Sequence, residues 1–466
     1  MNMLINKNRL LWLLFICSTL FLLLQHYFHF SWDFNAYVLN AKYIFNDGMY
    51  YEHYRPILMP LMLGLIFFEE YMFIILCSVL LFYSTKKLAN ALKLNEIYVY
   101  ILTLNVYLLT NGFVNGTEIL SFILFEFGLA YLINKKSSGG FFGLAFLARY
   151  TMLPYLAIIF FHKNIKKILI NFLYAGGVIG IFLIYDYLTT GNFLTSIGNA
   201  YALNVHFREN SIDFILILRQ LFELVNILLP FFLMGLIVKY KDFFSKKKEH
   251  WIMISIIVIG LYSYLTTPVK DIRYLFNLIL PVIYFSYYGV VYCEKILKTK
   301  NVIYFVLILN LIFGVVALDN YYEYDKEPRV YEDAINSLEE NGLSNCPISS
   351  NGWVMLNYLG LVSKASPREE LIEYELMNNQ TLVYFYHIPE PEYVGKEFFE
   401  DNVVYTNEDF IILSKGCGEV KKLDETYLMN LNQSLTLMDK WSISTNPCDY
   451  VFKISKAREI CKKLNH

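Results

Sequence analysis

The sequence predicts a polytopic α-helical membrane protein followed by a soluble α/β domain. Of its 466 residues, 56% are hydrophobic and 18% are aromatic, and the mean hydropathy is +0.41. A soluble protein of this length would contain fewer apolar residues. The charges are also segregated, because short lysine clusters separate the apolar segments. None of these clusters has the length of a nucleic-acid-binding tract, so we expect a lipid bilayer and no nucleic acid among the partners.

Ten apolar segments define the predicted membrane part, residues 1–319. Most are close to the roughly 20 residues that a helix needs to cross a bilayer. They are residues 10–30, 70–88, 96–112, 117–134, 139–162, 168–188, 213–240, 249–267, 273–294 and 301–319. A further apolar stretch, PILMPLMLGLIFF at residues 56–68, is too short to cross and is expected to lie at the outer surface.

The lysine clusters predict the orientation of these segments, since positive charge marks cytoplasmic loops. Clusters follow the second, fourth, fifth, seventh and ninth segments. All of them can be cytoplasmic only if residues 139–162 form two short helices that enter the membrane and return. Three glycines and the ARYTMLP break permit such a hairpin. We therefore expect a multi-pass protein of the cell membrane with about eleven crossings, a cytoplasmic N-terminus and an extracytoplasmic C-terminal domain.

The tail, residues 320–466, is predicted to form that soluble domain. EPRVYEDAINSLEENG and PREELIEYELMNN have helical patterns, whereas CPISS, TLVYFYH and FIILSK are short β-rich segments. Alternating helices and strands favour a small α/β fold. Four cysteines of the tail could form disulfides outside the cell, in any of three pairings. They are Cys346, Cys417, Cys448 and Cys461.

Under this topology the unusual polar residues of the membrane part gather on the outer side. They are Asp33, Arg55, Glu118, Arg149, His206, Arg208, Lys270, Asp271 and Arg273. Asp33 follows the first crossing closely, and a helix there would place Asp33, Tyr37 and Ala41 on one face. The cytoplasmic loops contain mostly lysine, so a functional site is expected on the outer side.

Five short motifs occur in order along the membrane part. They are WDFNAY, EHYRPILMPLMLG, NGTEI, GLAFLARYT and DIRYLFNLILP. Their order and sidedness resemble the GT-C superfamily of membrane glycosyltransferases. The chain is most similar to the family 39 protein mannosyltransferases, the aminoarabinose transferases and their prokaryotic relatives. The resemblance covers residues 1–319, and its individual motifs are short and degenerate.

The resemblance implies a sugar donor carried on a polyprenyl or dolichyl phosphate, with transfer at the outer face and inversion. It implies an acidic base in the first outer loop, where this chain has Asp33, and a protein, lipid or glycan acceptor. The WWDYG signature of oligosaccharyltransferases is absent, which argues against transfer of a whole glycan to asparagine. Phe34 follows Asp33 where many family 39 members have an Asp-Glu pair. No cofactor is required by the sequence, and the role of a divalent metal is left open.

The residues themselves suggest roles in such a transfer. A carboxylate can accept the proton of an acceptor hydroxyl, which makes Asp33 the first catalytic candidate and Glu118 the second. Glu118 also suits a helix N-terminus, where an acid complements the dipole. Arginine binds phosphate oxygens bidentately, although an arginine at a membrane boundary is also typical of a snorkelling anchor. The candidates for the lipid phosphate are Arg55, Arg149, Lys270 and Arg273.

Other roles and other functions stay open. Tyr37, His206 and Arg208 are candidate loop contacts, but they also suit interfacial packing and a plain surface connection. A transporter or flippase for a lipid-linked molecule would use intramembrane acids, here Glu126 and Glu223. A membrane anchor that presents the tail for protein binding would have no shared outer site. We also expect the tail to be separable, so that its deletion leaves donor binding largely intact.

Overall fold

The protein is a helical membrane protein with a small C-terminal sheet. The computed structural model describes residues 7–28, 31–48, 50–52, 54–114, 116–190, 193–201, 204, 212–244, 247–322, 326–366, 372–377, 379–388 and 402–416. Within these ranges, six helices are long and apolar enough to cross a membrane. They are Asn8–Phe28, Glu70–Leu92, Ile165–Thr190, Phe214–Tyr240, Lys248–Thr266 and Ile272–Ile296.

The helices of the membrane part follow the predicted apolar segments, with additional breaks. They are α1 (Lys7–Phe28), α2 (Trp32–Ile44), α3 (Leu58–Leu65), α4 (Glu70–Leu92), α5 (Glu96–Thr103), α6 (Val106–Asn111), α7 (Thr117–Ile133), α8 (Gly139–Ala148), α9 (Ile165–Thr190), α10 (Thr195–Tyr201), α11 (Phe214–Val225), α12 (Leu229–Phe244), α13 (Lys248–Thr266), α14 (Ile279–Ile296) and α15 (Val302–Tyr322). Within the described residues, three 3₁₀ helices lie among them, at Tyr150–Phe161, Asn226–Leu228 and Ile272–Leu278.

Residues 96–112 differ from the single crossing that the sequence predicts. The helix ends at Thr103, and Asn105 begins a new one, because its side-chain oxygen accepts a hydrogen bond from the backbone N of Leu108 at 2.9 Å. This is an ordinary N-terminal cap. A polar cap inside an otherwise apolar segment divides it into α5 and α6.

Residues 139–162 form a hairpin of two short helices. The backbone of Arg149 is extended and separates α8 from the 3₁₀ helix Tyr150–Phe161. The Ser138 hydroxyl lies 3.3 Å from His162 Nε2, so the start of the first helix and the end of the second are side by side. The chain therefore returns to the end from which it entered, with Arg149 at the tip.

The C-terminal part is an α/β unit, as the alternating pattern predicts. Its elements are α16 (Lys326–Glu340), β1 (Ile348–Ser350), α17 (Trp353–Tyr358), β2 (Ser363–Ala365), α18 (Ile372–Met377), β3 (Thr381–Phe385), β4 (Val403–Thr406) and β5 (Phe410–Leu413). The strand order is β2-β1-β3-β5-β4. Strand β1 is parallel to β2 and β3, whereas β5 is antiparallel to β3 and β4.

The core of this unit is formed by the amphipathic helix α16 and the sheet. Tyr331 and Leu338 of α16 are buried against Ile348, Phe385 and Phe410 of the strands. The sequence predicts α16, α18, β1, β3 and β5, but not α17, β2 or β4, which are short. Cys346 is disulfide-bonded. Cys417, Cys448 and Cys461, the other cysteines of the predicted pairings, lie outside the described residues.

Candidate functional site

A cavity of about 560 Å³ lies where α2, α7, the hairpin tip and the start of the helix Ile272–Leu278 meet. Each of the five sequence motifs contributes one charged residue to its lining. These residues are Asp33, Arg55, Glu118, Arg149 and Arg273. Tyrosines form much of the remaining wall, namely Tyr37, Tyr54, Tyr150, Tyr155, Tyr201, Tyr262 and Tyr274. Motifs that are far apart in the sequence therefore converge on one cavity.

Asp33 lies between two arginines. It occupies the first turn of α2, where Ser31 caps the helix, and its side chain is one quarter exposed. One carboxylate oxygen accepts a hydrogen bond from Arg55 Nη1 at 2.8 Å, and the other accepts one from Arg273 Nη1. Burial alone would raise the pKa of Asp33, but the positive charges of the two guanidinium groups lower it by more, so the pKa lies well below its usual range. The carboxylate is ionised at neutral pH.

Arg55 is held from several directions and is only 7% exposed. Its Nε donates to the carboxylate of Glu52, three residues earlier in the chain. The guanidinium also lies over the rings of Tyr37, at 5.1 Å, and Tyr54, at 5.4 Å. These are cation–π distances. The guanidinium is thus fixed in one orientation, with one edge toward Glu52 and another toward Asp33.

A second acid–arginine pair lies beside the first. Glu118 is in the first turn of α7, and its carboxylate is 3.2 Å from Arg149 Nη1. The hydroxyl of Thr117 donates to the same carboxylate at 3.0 Å. Arg149 also donates from Nη1 to the backbone oxygen of Arg273 at 2.9 Å. Arg273 therefore connects the two pairs, since its side chain contacts Asp33 and its carbonyl contacts Arg149.

The position of Arg273 is fixed by its neighbours in the DIRYL segment. Asp271 begins the 3₁₀ helix by accepting from the backbone N of Arg273 at 3.0 Å, and its carboxylate lies 3.1 Å from Arg273 Nε. The guanidinium groups of Arg149 and Arg273 lie 5.2 and 5.6 Å from the centre of the Tyr274 ring. All three arginines of the cavity are thus paired with carboxylates. An anionic ligand must share them or displace those carboxylates.

The remaining sequence candidates are placed differently. Lys270 is not among the residues that line the cavity, because its Nζ donates to backbone carbonyls at the end of α13, including those of Tyr264 and Leu265 at 3.0 Å. Tyr37 lines the cavity, and burial raises its pKa to about 12 despite the opposing effect of Arg55. His206 and Arg208 lie outside the described residues.

The structure adds Glu52, Tyr54 and Tyr274 to the residues that the sequence suggested. Glu52 is the most informative of them, because it is 2% exposed and makes an ion pair with Arg55. The signal was present in EHYRP, where an acid precedes the arginine by three residues. In the sequence, however, this acid cannot be distinguished from a solvated charge of the loop that follows α2.

Three of the lysine clusters lie at the other end of the helical bundle. Lys167 Nζ donates to the carbonyl of Lys135 at 2.9 Å, and Lys248 Nζ donates to that of Leu132 at 3.1 Å. Both contacts are at the C-terminal end of α7, whereas Glu118 is at its start. The 17 residues of α7 span about 25 Å. The lysine-rich end and the cavity are thus separated by most of the thickness of a bilayer.

Within the described residues, no group of three or more His, Cys, Asp or Glu side chains is placed to hold a metal ion. No protein-family model matches the chain, and no curated protein is significantly similar to it. The function is therefore inferred from the cavity and from the motifs that form it.

Proposed function

We propose that the protein is an inverting membrane glycosyltransferase. It would transfer a sugar from a polyprenyl- or dolichyl-phosphate donor to an acceptor hydroxyl of a protein, lipid or glycan. The observation that supports this most directly is one cavity in which Asp33 contacts Arg55 and Arg273, with Glu118 and Arg149 beside them. The same five residues come one each from the motifs that resemble the GT-C superfamily, so those motifs meet in one cavity, and the resemblance itself points to Asp33 among them.

We assign the cavity to the extracytoplasmic face. Lysine clusters mark the cytoplasmic side, and those around Lys135, Lys167 and Lys248 lie at the opposite end of α7 from Glu118. Cys346 is disulfide-bonded, as expected for a domain in an oxidising compartment. The proposed topology has the N-terminus in the cytoplasm and the C-terminal domain outside.

In the proposed reaction, Asp33 acts as the general base. The acceptor oxygen forms a bond to the anomeric carbon, while the bond from that carbon to the phosphate oxygen breaks. The acceptor proton goes to the Asp33 carboxylate, and the electron pair of the broken bond remains on the lipid phosphate. A base placed in this way contributes about 10²–10⁴-fold to the rate. Glu118 would orient a hydroxyl of the sugar or the acceptor.

The two arginines on Asp33 suit the movement of charge in this reaction. The donor is a phosphodiester, so the leaving phosphate gains one negative charge as Asp33 loses one by protonation. Arg55 and Arg273 can therefore exchange one anionic partner for another without a change in the net charge of the cavity. Hydrogen-bond donors that point at a group on which charge develops stabilise the transition state more than the ground state. This is a role for the arginines that simple membrane anchoring does not require.

The cavity volume favours transfer of a single sugar. About 560 Å³ is within the ~300–1,000 Å³ of typical small-molecule sites. Tyrosine rings provide flat apolar surfaces against which a sugar ring can pack, and their hydroxyl groups can bind its oxygens.

The test is transfer by the purified protein from a panel of labelled polyprenyl-phosphate sugars, with a membrane extract as the source of acceptors. We expect one donor to release polyprenyl phosphate in step with labelling of the extract. Asp33→Asn should reduce turnover by about 10²-fold or more, because it keeps the size of the side chain but cannot accept the proton. Absence of turnover with every donor, or near-normal turnover in the Asn variant, would contradict the proposal.

The transporter alternative receives less support from the same geometry. Glu126 is fully buried and accepts hydrogen bonds from Ser84, at 2.6 Å, and Thr85, at 3.0 Å. It is not among the residues that line the cavity. Glu223 is exposed on α11. A membrane anchor, the third class, would not require five charged residues from separate segments to meet in one cavity.

A further inference from the structure

We infer that the C-terminal unit holds the candidate site in shape through Glu52, a positioning residue that connects Arg55 to Trp353 by a chain of hydrogen bonds. Its functional meaning rests on the proposed function, whereas the connection itself can be tested without any ligand. The inference differs from the expectation that the tail is separable from donor binding.

The first link is between Arg55 and Glu52, which are both buried. The Arg55 guanidinium donates to one oxygen of Glu52, and the other oxygen accepts from the hydroxyl of Tyr50 at 2.6 Å. The backbone of Glu52 is fixed as well. Its N–H donates to the side-chain oxygen of Asn40 at 2.8 Å, and its carbonyl accepts from the side-chain amide of Asn40 at 3.0 Å. Asn40 belongs to α2, so this loop is fastened to the helix that carries Asp33.

The second link is between Tyr50 and the C-terminal unit. The indole N–H of Trp353, the first residue of α17, donates to the Tyr50 hydroxyl. The indole N–H and the guanidinium can only donate hydrogen bonds, whereas an ionised carboxylate can only accept them. Tyr50 must therefore accept from Trp353 and donate to Glu52. The direction of every hydrogen bond from Trp353 to Arg55 is fixed.

Apolar packing supports the same contact between the tail and the membrane part. Val354 is completely buried with Ala36, Leu39 and Tyr50. The ring of Trp353 meets that of Trp32 edge to face at 4.8 Å, a favourable aromatic geometry. Helix α17 is thus seated on α2, on the helix that carries Asp33. The C-terminal unit contacts both elements that present the first acid–arginine pair.

The consequence is that Arg55 is ordered by residues on both sides of the contact between the tail and the bundle. A guanidinium that is already fixed loses less conformational entropy when it binds a phosphate. If Trp353 no longer donates to Tyr50, then Tyr50, Glu52 and Arg55 become less ordered in turn. Binding of an anion should weaken, although the number of charges in the cavity is unchanged.

The experiment compares two variants that each remove one hydrogen bond between the tail and the bundle without changing any charge. Trp353→Phe removes the donor to Tyr50 but keeps an aromatic ring near Trp32. Tyr358→Phe removes the hydroxyl that donates to Glu70 at 2.5 Å, a contact that does not lead to Arg55. The probe is farnesyl phosphate, and its binding to the full-length protein in detergent is measured by calorimetry.

We expect Trp353→Phe to weaken farnesyl phosphate binding about threefold to tenfold, the effect of one neutral hydrogen bond. Tyr358→Phe should leave binding unchanged, and it should lower the melting temperature of the protein about as much as Trp353→Phe does. Tyr50→Phe should weaken binding at least as much as Trp353→Phe does. The double variant with Tyr50→Phe and Trp353→Phe should bind farnesyl phosphate no more weakly than Tyr50→Phe alone. Equal binding by the Trp353 and Tyr358 variants would overturn the inference.

A second measurement needs no ligand and separates this inference from the proposed function. Melting temperatures are measured for Arg55→Lys alone and in combination with each tail variant. Residues in one hydrogen-bond network show non-additive effects, whereas separated residues are additive. We expect non-additivity with Trp353→Phe and additivity with Tyr358→Phe. Additivity in both pairs would refute the connection, and failure of the wild type to bind farnesyl phosphate would count against the proposed function alone.

Discussion

Asp33 is a carboxylate between two guanidinium groups, and this environment makes it a weak base. Its pKa is well below the usual range, because the attraction of Arg55 and Arg273 exceeds the effect of burial. A phosphate that engages those arginines adds a nearby negative charge and withdraws positive charge from Asp33. Both changes raise the pKa of a carboxylate. Under the proposed function, donor binding therefore makes Asp33 a better base at the time when a base is needed.

This gives a prediction for the pH dependence of the reaction. The profile of kcat/KM reports the free enzyme, and that of kcat reports the bound complex. The acid limb of kcat/KM should lie below about pH 4, the usual range of an aspartate, and the acid limb of kcat should lie at higher pH. The donor diester does not titrate in this range, so the difference belongs to the protein. Steady-state rates at several donor concentrations between about pH 3 and 8 would measure it, as a fall of kcat at a pH where kcat/KM is still constant. Coincident limbs would contradict the sharing of the arginines.

Arg273 and Lys270 provide a matched pair of neighbouring cations. Arg273 contacts Asp33 in the cavity, whereas Lys270 donates to the carbonyl groups that end α13. Arg273→Ala should weaken the binding of farnesyl phosphate by about tenfold or more, as expected for a charge-assisted hydrogen bond. Lys270→Ala should bind normally and lower only the melting temperature. If Lys270→Ala weakens binding as much as Arg273→Ala, binding depends on the net charge of this region and not on the cavity.

The sequence could nominate Asp33, Arg55, Glu118, Arg149 and Arg273, because charged residues beside apolar segments are conspicuous. It could not distinguish these residues from Lys270. Lys270 and Arg273 are neighbouring cations in the sequence, and only the structure shows that Lys270 contacts the end of α13 whereas Arg273 contacts Asp33. Nor did the sequence provide a reason to select Glu52. Whether an acid of the loop after α2 is solvated or buried depends on contacts with Asn40, Tyr50 and Trp353, which no local pattern contains.

At the scale of elements, Gly139 explains how the hairpin of residues 139–162 can pack directly against α9. A Cβ at Gly139 would lie 1.9 Å from the backbone oxygen of Asn171. The same asparagine caps α8, because its side-chain oxygen accepts from the backbone N of Ser138, at 2.6 Å, and of Gly139, at 2.8 Å. The foot of the hairpin is therefore seated directly on α9, and this seat places Arg149 at the tip.

We expect Gly139→Ala to destabilise the protein by about 1–3 kcal/mol, because the methyl group meets backbone that cannot turn aside. Gly140→Ala is the control, since a Cβ there meets nothing within 4 Å. That change should be neutral or stabilise the protein by up to about 1 kcal/mol, the difference in helix propensity. Thermal unfolding in detergent measures both. Equal stability of the two variants would contradict the close contact with α9.

The breaks inside elements were harder to predict than the elements themselves. Apolar composition locates the helical segments, but it does not show where a helix stops. The hairpin break was visible because the lysine clusters required the chain to return. The division between α5 and α6 had no such signal, since Asn105 could equally have been a polar residue inside a continuous helix. The strands β2 and β4 were also missed, and length is not the reason, because β1 and β5 are equally short. The residues of β2, SKA, include no β-branched or aromatic side chain.

For the whole molecule, the separation of charges along the bundle is the property that sequence predicts best. Lysines gather at one end of α7, and the acid–arginine cavity and the C-terminal unit lie toward the other. The C-terminal unit nevertheless contacts the helical bundle, because α17 is packed on α2. That contact joins residues more than 300 positions apart in the chain, which composition and periodicity cannot reveal.

The proposed sidedness gives the last prediction. Single cysteines are introduced at Glu408, an exposed position in the turn between β4 and β5, and at Lys136, an exposed position after α7. A membrane-impermeant maleimide applied to intact cells should label Glu408→Cys above the background of the parent protein. Lys136→Cys should be labelled only after permeabilisation, because lysine-rich loops stay in the cytoplasm. The reverse pattern would move the cavity to the cytoplasmic face, where transfer from an outward-facing lipid-linked donor could not occur, whereas the connection between Trp353 and Arg55 would be unaffected.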